Sequence, residues 1–284
     1  MDISKDIELR IVGIGRVGAS IVQAFAQSGF TVYGIDIDQT NIDNGLKRIE
    51  QDLGNLVLKE KMNSTEKEVV LSRIKLGTEL ESIRNADVII EAIYEDMDAK
   101  KDMFNTIDTL VTSREALLLT NTSSLSVSEI ASATNRPEQV AGMHFFNPVP
   151  VMKLVEVVRG VLTSDSTIDR IKDLALLMGK TPIISADRPG FIVNRMLNAL
   201  FVEAARIVEE GVGTIEDVDI GAKLGCGHPM GPFELFDYLD ALPLLEHITD
   251  YMAEELGERF RLPAWVKKLV EEGKAGKGIK KFYG

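Results

Sequence analysis

One cysteine and three histidines in 284 residues leave little room for two common chemistries. A lone Cys226 cannot build an internal disulfide framework and fits a reducing compartment. Around it, Gly225-Cys226-Gly227-His228-Pro229 offers one thiol and one imidazole but no second cysteine, so a small loop residue is favoured and no metal site is expected. Basic excess is missing as well: 44 Asp and Glu against 32 Lys and Arg give a net charge of -12. A nucleic-acid partner calls for the opposite, a basic face that neutralises phosphates. No run of ~18 uncharged apolar residues occurs, and the stretch MDISKDIELR has no apolar signal core. The expectation is a soluble, cytoplasmic protein without nucleic-acid or membrane partners, kept in solution by its acidic balance.

Hydrophobic residues make up 45% of the chain, and a prior of ~150 residues per domain suggests two domains. Short aliphatic and β-branched runs alternate with helical patterns between Glu8 and Ala186: strands are predicted at 9–12, 31–35, 88–90, 117–119, 140–143, 155–158 and 182–185. Such a βαβ rhythm implies an α/β fold with a mostly parallel sheet covered by helices. The Lys- and Glu-rich segment 41–73 reads as a helical hairpin inserted between two strands. Asp187-Arg188-Pro189-Gly190 breaks the pattern, and only helices are predicted after it, at 191–210, 215–224, 233–255 and 264–272. In the first of these Val193, Leu197, Leu200, Phe201, Ala204, Ile207 and Val208 recur at helical spacing as one apolar stripe. The domains are therefore drawn at 1–186 and 187–284, the second all-α. A bundle that small is at the edge of independent folding, so a homodimer through this domain is expected, ahead of burial on the chain's own first domain.

Gly13-Ile14-Gly15-Arg16-Val17-Gly18 follows the first strand and opens a helix. In such a turn the first glycine permits the bend, the second lets backbone approach a pyrophosphate and the third lets helix pack on strand. A diphosphate is favoured at the helix N-terminus, where unpaired N–H groups and the helix dipole attract anions. Asp36 ends the next strand, where a carboxylate accepts both ribose hydroxyls of NAD and repels the 2′-phosphate of NADP. The Rossmann reading with NAD as cofactor is set against two alternatives: that Asp36 or Asp38 only caps the following helix, and that the dinucleotide is FAD.

GMHFFNPVPVMKLVEVV places His144 on a turn and Glu156 on the next strand, twelve residues on. Alcohol oxidation by NAD needs a base within hydrogen-bond reach of the hydroxyl. Imidazole titrates at ~6.5, and a carboxylate on its other nitrogen fixes the tautomer and stabilises the imidazolium. The alternative is a core histidine satisfied by backbone.

With GIGRVG, IIEAIYEDMDAKKDMF, NTSSLSVSEIA, GMHFFNPVPVMKLVEVV, RPGFIVNRMLNA and KLGCGHPMGPFELFDYLD in this order, the chain resembles the short-chain L-3-hydroxyacyl-CoA dehydrogenases, the 3-hydroxybutyryl-CoA dehydrogenase family, over essentially its whole length. The resemblance implies that His144 is the base, Glu156 its orienting partner, and Ser123 and Asn194 hydrogen-bond donors at the reacting oxygen or the cofactor beside it. It also implies Glu95 and Lys100 at the nicotinamide-side ribose, Lys274 in the glycine-rich tail as a further cofactor contact, and Lys59 on the CoA of an acyl-CoA substrate. Ser124 reads instead as a helix N-cap with Ser126 and Glu129 nearby.

Departures from the family pattern are Arg16-Val17 in the glycine turn, Ser20 for a common glycine, Tyr94 before Glu95, Asp52 where relatives carry a serine on the CoA-facing helix, and the tail GKAGKGIKKFYG. They bear on acyl chain and CoA contacts more than on reaction type. Two rival functions stand beside the main one: a dehydrogenase of a free 3-hydroxy acid such as gulonate, and a catalytically silent NAD-binding protein.

Overall fold

The computed structural model describes residues 3–239 and 242–271. Chain contacts divide it into two compact units, Met1–Arg188 and Pro189–Gly284. The first is built on one eight-stranded sheet: β1 (Leu9–Val12), β2 (Val32–Ile35), β3 (Ile74–Gly77), β4 (Val88–Glu91), β5 (Leu117–Thr120), β6 (Val140–Phe145), β7 (Leu154–Arg159) and β8 (Thr181–Ala186). Their order across the sheet is β3-β2-β1-β4-β5-β6-β7-β8. All neighbours pair parallel except β6 and β7, which run antiparallel. The unit is the expected Rossmann-type α/β architecture.

Strand alternation explains how the sheet is sandwiched. Ile90, Leu119 and Met143 enter one core with Phe25 of α1 (Arg16–Gln27) and Ile171 of α6 (Asp165–Leu177). Ile89, Leu118 and Val140 face the other way, onto Phe104 and Ile107 of α4 (Met97–Leu110). Because both faces are covered, β4, β5 and β6 are buried along their whole length and are apolar except for Glu91, Thr120 and His144 toward their carboxyl ends. The predicted helical hairpin is present as α2 (Gln39–Leu58) and α3 (Ser64–Ser72). Asp38 caps α2 by accepting the Thr40 N–H, and Asn63 with Glu66 forms a capping box on α3.

Three local expectations are corrected. Strand β3 was not predicted: it is a four-residue edge strand whose residues are half-buried, with Lys75 exposed, and so lacks the apolar run that marks the inner strands. His144 lies within β6, not on a turn, because pairing with β7 extends the strand through Phe145. Ser126, not Ser124, caps the short helix α5 (Val127–Ala131), its hydroxyl accepting from the Glu129 N–H.

The second unit is helical, with α7 (Val193–Glu209), α8 (Ile215–Ile220), α9 (Pro232–Leu239), α10 (Leu242–Leu256) and α11 (Ala264–Glu271). A π-turn at Gly221–Gly225 ends α8 earlier than predicted. Of the helix predicted over 233–255, Pro232–Leu239 and Leu242–Leu256 are described and helical; residues 240–241 lie outside the described ones. Phe201, Phe233 and Phe236 centre the core, with ring centroids 5.5 Å apart for the first pair and 4.3 Å for Phe201 with Phe236. Leu200 of the predicted stripe remains exposed, together with Met196 on the same helix.

Candidate active site

The glycine turn sits where β1 passes into α1. Gly13 has φ 95, a backbone region closed to most side chains, and a Cβ there would lie 2.7 Å from the Ala92 backbone. A Cβ on Gly18 would lie 1.7 Å from the Gly13 carbonyl oxygen, so α1 packs on the turn only without one. Gly15 is different: nothing stands within 4 Å of a Cβ placed there, and as the N-cap of α1 it carries no side-chain cap. Open space over uncapped helix N–H groups is the setting in which a diphosphate binds, and a dinucleotide therefore fits these residues. Asp36 follows β2 and accepts the Ile14 N–H at 2.8 Å through Oδ2, while Oδ1 accepts from Asn41 Nδ2 at 3.0 Å. Its carboxylate is tied to the turn itself, and the cap of α2 belongs to Asp38. Arg16 is exposed at the first position of α1.

A second cluster occupies the loops after β4 and β5. Glu95, whose side chain is 31% exposed, takes an ion pair from Lys100 Nζ at 3.3 Å through Oε2. Its Oε1 accepts the Ser123 N–H at 3.0 Å, the Ser124 hydroxyl at 3.2 Å and the Thr122 hydroxyl. Burial opposes ionisation of Glu95, but Lys100, the Thr122 hydroxyl and the Ser123 N–H outweigh it and hold the carboxyl below the usual range. Lys100 is almost fully buried and reaches Glu91 Oε1 at 2.6 Å. Glu91 is the functional-looking residue that sequence reasoning missed. Its signal was a glutamate closing the otherwise apolar strand Val88-Ile89-Ile90-Glu91.

The third cluster is on the antiparallel hairpin. His144 and Glu156 are direct register partners, with Nδ1 2.7 Å from Oε2. The carboxylate is fully buried and the imidazole 7% exposed, beside the Phe146 ring at 4.6 Å. Asn121 Oδ1 accepts the Phe145 N–H at 3.0 Å, fastening the end of β6 to the loop after β5. Lys180 Nζ donates to the carbonyls of Val149 at 2.6 Å and Met152 at 2.7 Å, holding the connection between β6 and β7.

The structure thus brings together Gly13, Gly15, Gly18 and Asp36, then Glu95, Lys100 and Ser123, then His144 and Glu156. All three groups follow the carboxyl ends of parallel strands or sit on β6 and β7 beside them, the edge at which such sheets bind ligands. Asn194 is in the first turn of α7, in the second unit. Lys59 is the exposed C-cap of α2. Asp52, also exposed, lines an open groove of about 700 Å³ between α2 and α3 with Gln51, Asn55, Leu58 and Lys67. Tyr94 is 72% exposed. Cys226 and His228 are exposed, and no group of three metal-binding side chains occurs among the described residues. Lys274 lies outside the described residues.

A dinucleotide turn on one strand and an imidazole–carboxylate pair along the same sheet define the class: a nicotinamide-dependent dehydrogenase. The NAD-binding-domain model of 3-hydroxyacyl-CoA dehydrogenase matches residues 8–188, and the C-terminal-domain model of 3-hydroxyacyl-CoA dehydrogenase matches residues 190–283. The chain belongs to the 3-hydroxyacyl-CoA dehydrogenase family. It is 40% identical to 3-hydroxybutyryl-CoA dehydrogenase of Clostridioides difficile over 96% of its own length and 97% of the relative's. With a probable 3-hydroxybutyryl-CoA dehydrogenase of Bacillus subtilis it shares 42% identity over 95% and 94% of the two chains. The crystal structure of (S)-3-hydroxybutyryl-CoA dehydrogenase from Ralstonia eutropha superposes with a TM-score of 0.92 at 36% identity, covering 98% of each chain. No described helix is long and apolar enough to cross a membrane.

Proposed function

We propose that the protein interconverts a short-chain L-3-hydroxyacyl-CoA, such as 3-hydroxybutyryl-CoA, and the corresponding 3-ketoacyl-CoA with NAD, and that His144 moves the proton. The observation that carries this is the 2.7 Å contact between His144 Nδ1 and the buried Glu156 carboxylate. A carboxylate on Nδ1 fixes the tautomer that leaves Nε2 free to take the hydroxyl proton, and it faces the imidazolium once that proton has been taken. In the reverse direction the imidazolium returns that proton to the ketone oxygen. Bound NAD supplies the acceptor for the hydride that leaves C3. Oxidation releases a proton overall, so lower pH shifts the balance toward the alcohol.

Residues 1–186 hold the cofactor in this reading: Gly13, Gly15 and Gly18 admit its diphosphate, and Asp36 takes the adenosine ribose. Glu95 meets the nicotinamide-side ribose, with Lys100 behind it and Lys274 from the tail. Ser123 and Asn194 orient the reacting oxygen. Lys59 meets CoA beside the α2–α3 groove. Residues 187–284 serve substrate binding and homodimer formation. Met196, Leu200, Val212, Ile220 and Leu224 leave apolar surface exposed on that unit, which favours a second copy as its cover. The cytoplasm, consistent with a single cysteine, is the proposed compartment.

A panel of 3-ketoacyl-CoA thioesters and free acetoacetate, each with NADH and NADPH, tests the reading. Turnover of acetoacetyl-CoA with NADH is the expected result. Preference for the free acid, or no NADH consumption with any thioester, overturns it. Light scattering on the purified protein tests the homodimer, and a monomeric mass sinks it.

A further inference from the structure

We infer that Glu91 is a positioning residue for cofactor binding, acting through Lys100 on Glu95; this rests on the proposed role of Glu95 at the nicotinamide-side ribose. The geometry is that of a chain of alternating charges running outward from the sheet. Glu91 closes β4 with no solvent exposure, Lys100 follows at 2.6 Å with a 1% exposed side chain, and Glu95 lies 3.3 Å beyond, 31% exposed. Lys100 is too deeply buried to be the first group a ligand meets. What it reaches is Glu95, and where its ammonium stands is set by Glu91.

Glu91 is itself held from three sides. Oε1 accepts the Ile93 N–H at 2.7 Å as well as Lys100, and Oε2 accepts the hydroxyl of Thr120 at 2.7 Å. Thr120 is the register partner of Glu91 on β5, and its hydroxyl also accepts the Thr122 N–H at 3.1 Å. One buried carboxylate therefore grips both loops that carry Glu95 and Ser123. A buried ion pair is poor value for stability, since apolar residues of similar size commonly do as well or better. Its use here is electrostatic division. Lys100 shared between two carboxylates leaves Glu95 ionised and aimed at Thr122, Ser123 and Ser124. Without the Glu91 charge, Lys100 collapses onto Glu95 and draws it away from them.

The test is a double-mutant cycle on NADH affinity, read by nucleotide fluorescence, with KM for the thioester as the second readout. Glu91→Gln keeps the shape and removes the charge, and is expected to weaken NADH binding about tenfold. KM for acetoacetyl-CoA should stay within about twofold, a split that general disorder does not produce. On a Lys100→Met background the same substitution should change NADH binding by less than about twofold, because its route of action has gone. Unchanged NADH affinity in Glu91→Gln, full additivity with Lys100→Met, or parallel loss of both affinities overturns the inference. If Glu91→Gln does not fold, Thr120→Val removes the hydroxyl that aims the carboxylate, along with its bond to the Thr122 N–H. About threefold weaker NADH binding is then expected, and wild-type affinity overturns the inference. Failure of the parent reading looks different: NADH binds and depends on Glu91, yet no thioester is turned over.

Discussion

Glu156 stands directly opposite His144 across the antiparallel β6–β7 pairing, its buried Oε2 2.7 Å from the imidazole Nδ1. Glu156→Gln preserves a hydrogen-bond acceptor there but removes the charge that stabilises imidazolium. It is expected to lower kcat by about a hundredfold or more while KM for the thioester moves only a few-fold. His144→Gln should lose about 10²- to 10⁴-fold in kcat. Steady-state rates with acetoacetyl-CoA and NADH check both, and near-normal turnover by His144→Gln would remove it as the base.

The glycines of the turn should separate folding from binding. Alanine at Gly18 would put its methyl 1.7 Å from the Gly13 carbonyl, so α1 must move away from the turn. A stability loss of about 1–3 kcal/mol and loss of NADH binding are expected. Alanine at Gly15 has open space around it and an ordinary φ of -65, so the melting temperature should hold. NADH affinity should still fall, because the methyl occupies the diphosphate's approach. Equal melting temperatures for the two variants would contradict the packing argument.

Asp108 links α4 to the segment before β6, accepting from the Asn135 N–H at 2.8 Å and pairing with Arg136 at 2.6 Å. Burial opposes its ionisation, but the Asn135 N–H, the Asn135 amide and Arg136 outweigh that and hold its carboxyl low. A folded pKa below the unfolded value contributes stability that is complete above about pH 4 and disappears as pH falls through the folded value. Asp108→Asn should therefore cost about 1–3 kcal/mol at pH 7. Urea unfolding at several pH values should show the gap to wild type closing below about pH 4; a gap that persists there refutes the assignment.

Burial pushes the Lys180 ammonium down from its ordinary value. The unfolded chain then holds the extra proton in the window below about pH 10.4, so this group makes stability rise as pH climbs through that window. Lys180→Met removes the slope and also the donors to Val149 and Met152, at a cost of about 1–3 kcal/mol. Denaturant midpoints between pH 7 and pH 10 should show wild type pulling further ahead of the variant as pH rises. A constant or shrinking difference would count against the buried ammonium.

Much of this was readable in the chain because the informative residues are local. The glycine turn follows its strand without interruption, and His144 and Glu156 are twelve residues apart on one hairpin, so a single register decides their meeting. Inner strands such as Leu117–Thr120 announce themselves because both faces are buried. Ile74–Gly77 did not, since an edge strand needs no apolar pattern and takes its conformation from β2. Glu91 was silent for another reason: a lone glutamate ending a strand reads as surface, and its partners Lys100 and Thr120 are nine and twenty-nine residues away. The early end of α8 arises from a π-turn among glycines, which periodicity alone does not signal.

Val12, Glu91, Thr120 and Gly142 stand in one row across the sheet. Beyond that row β1, β4 and β5 dissolve into loops, but β6 continues, carrying His144 two residues further. At a rise of ~3.3 Å per residue the imidazole overhangs the loop starts by ~7 Å, on a rigid arm braced by β7. The proposed proton-transfer group is thereby carried beyond the loop starts on a paired strand, without being entrusted to a loop. Trimming the arm by one pleat, two residues from each of β6 and β7, would keep the parity of every inward side chain and remove that overhang.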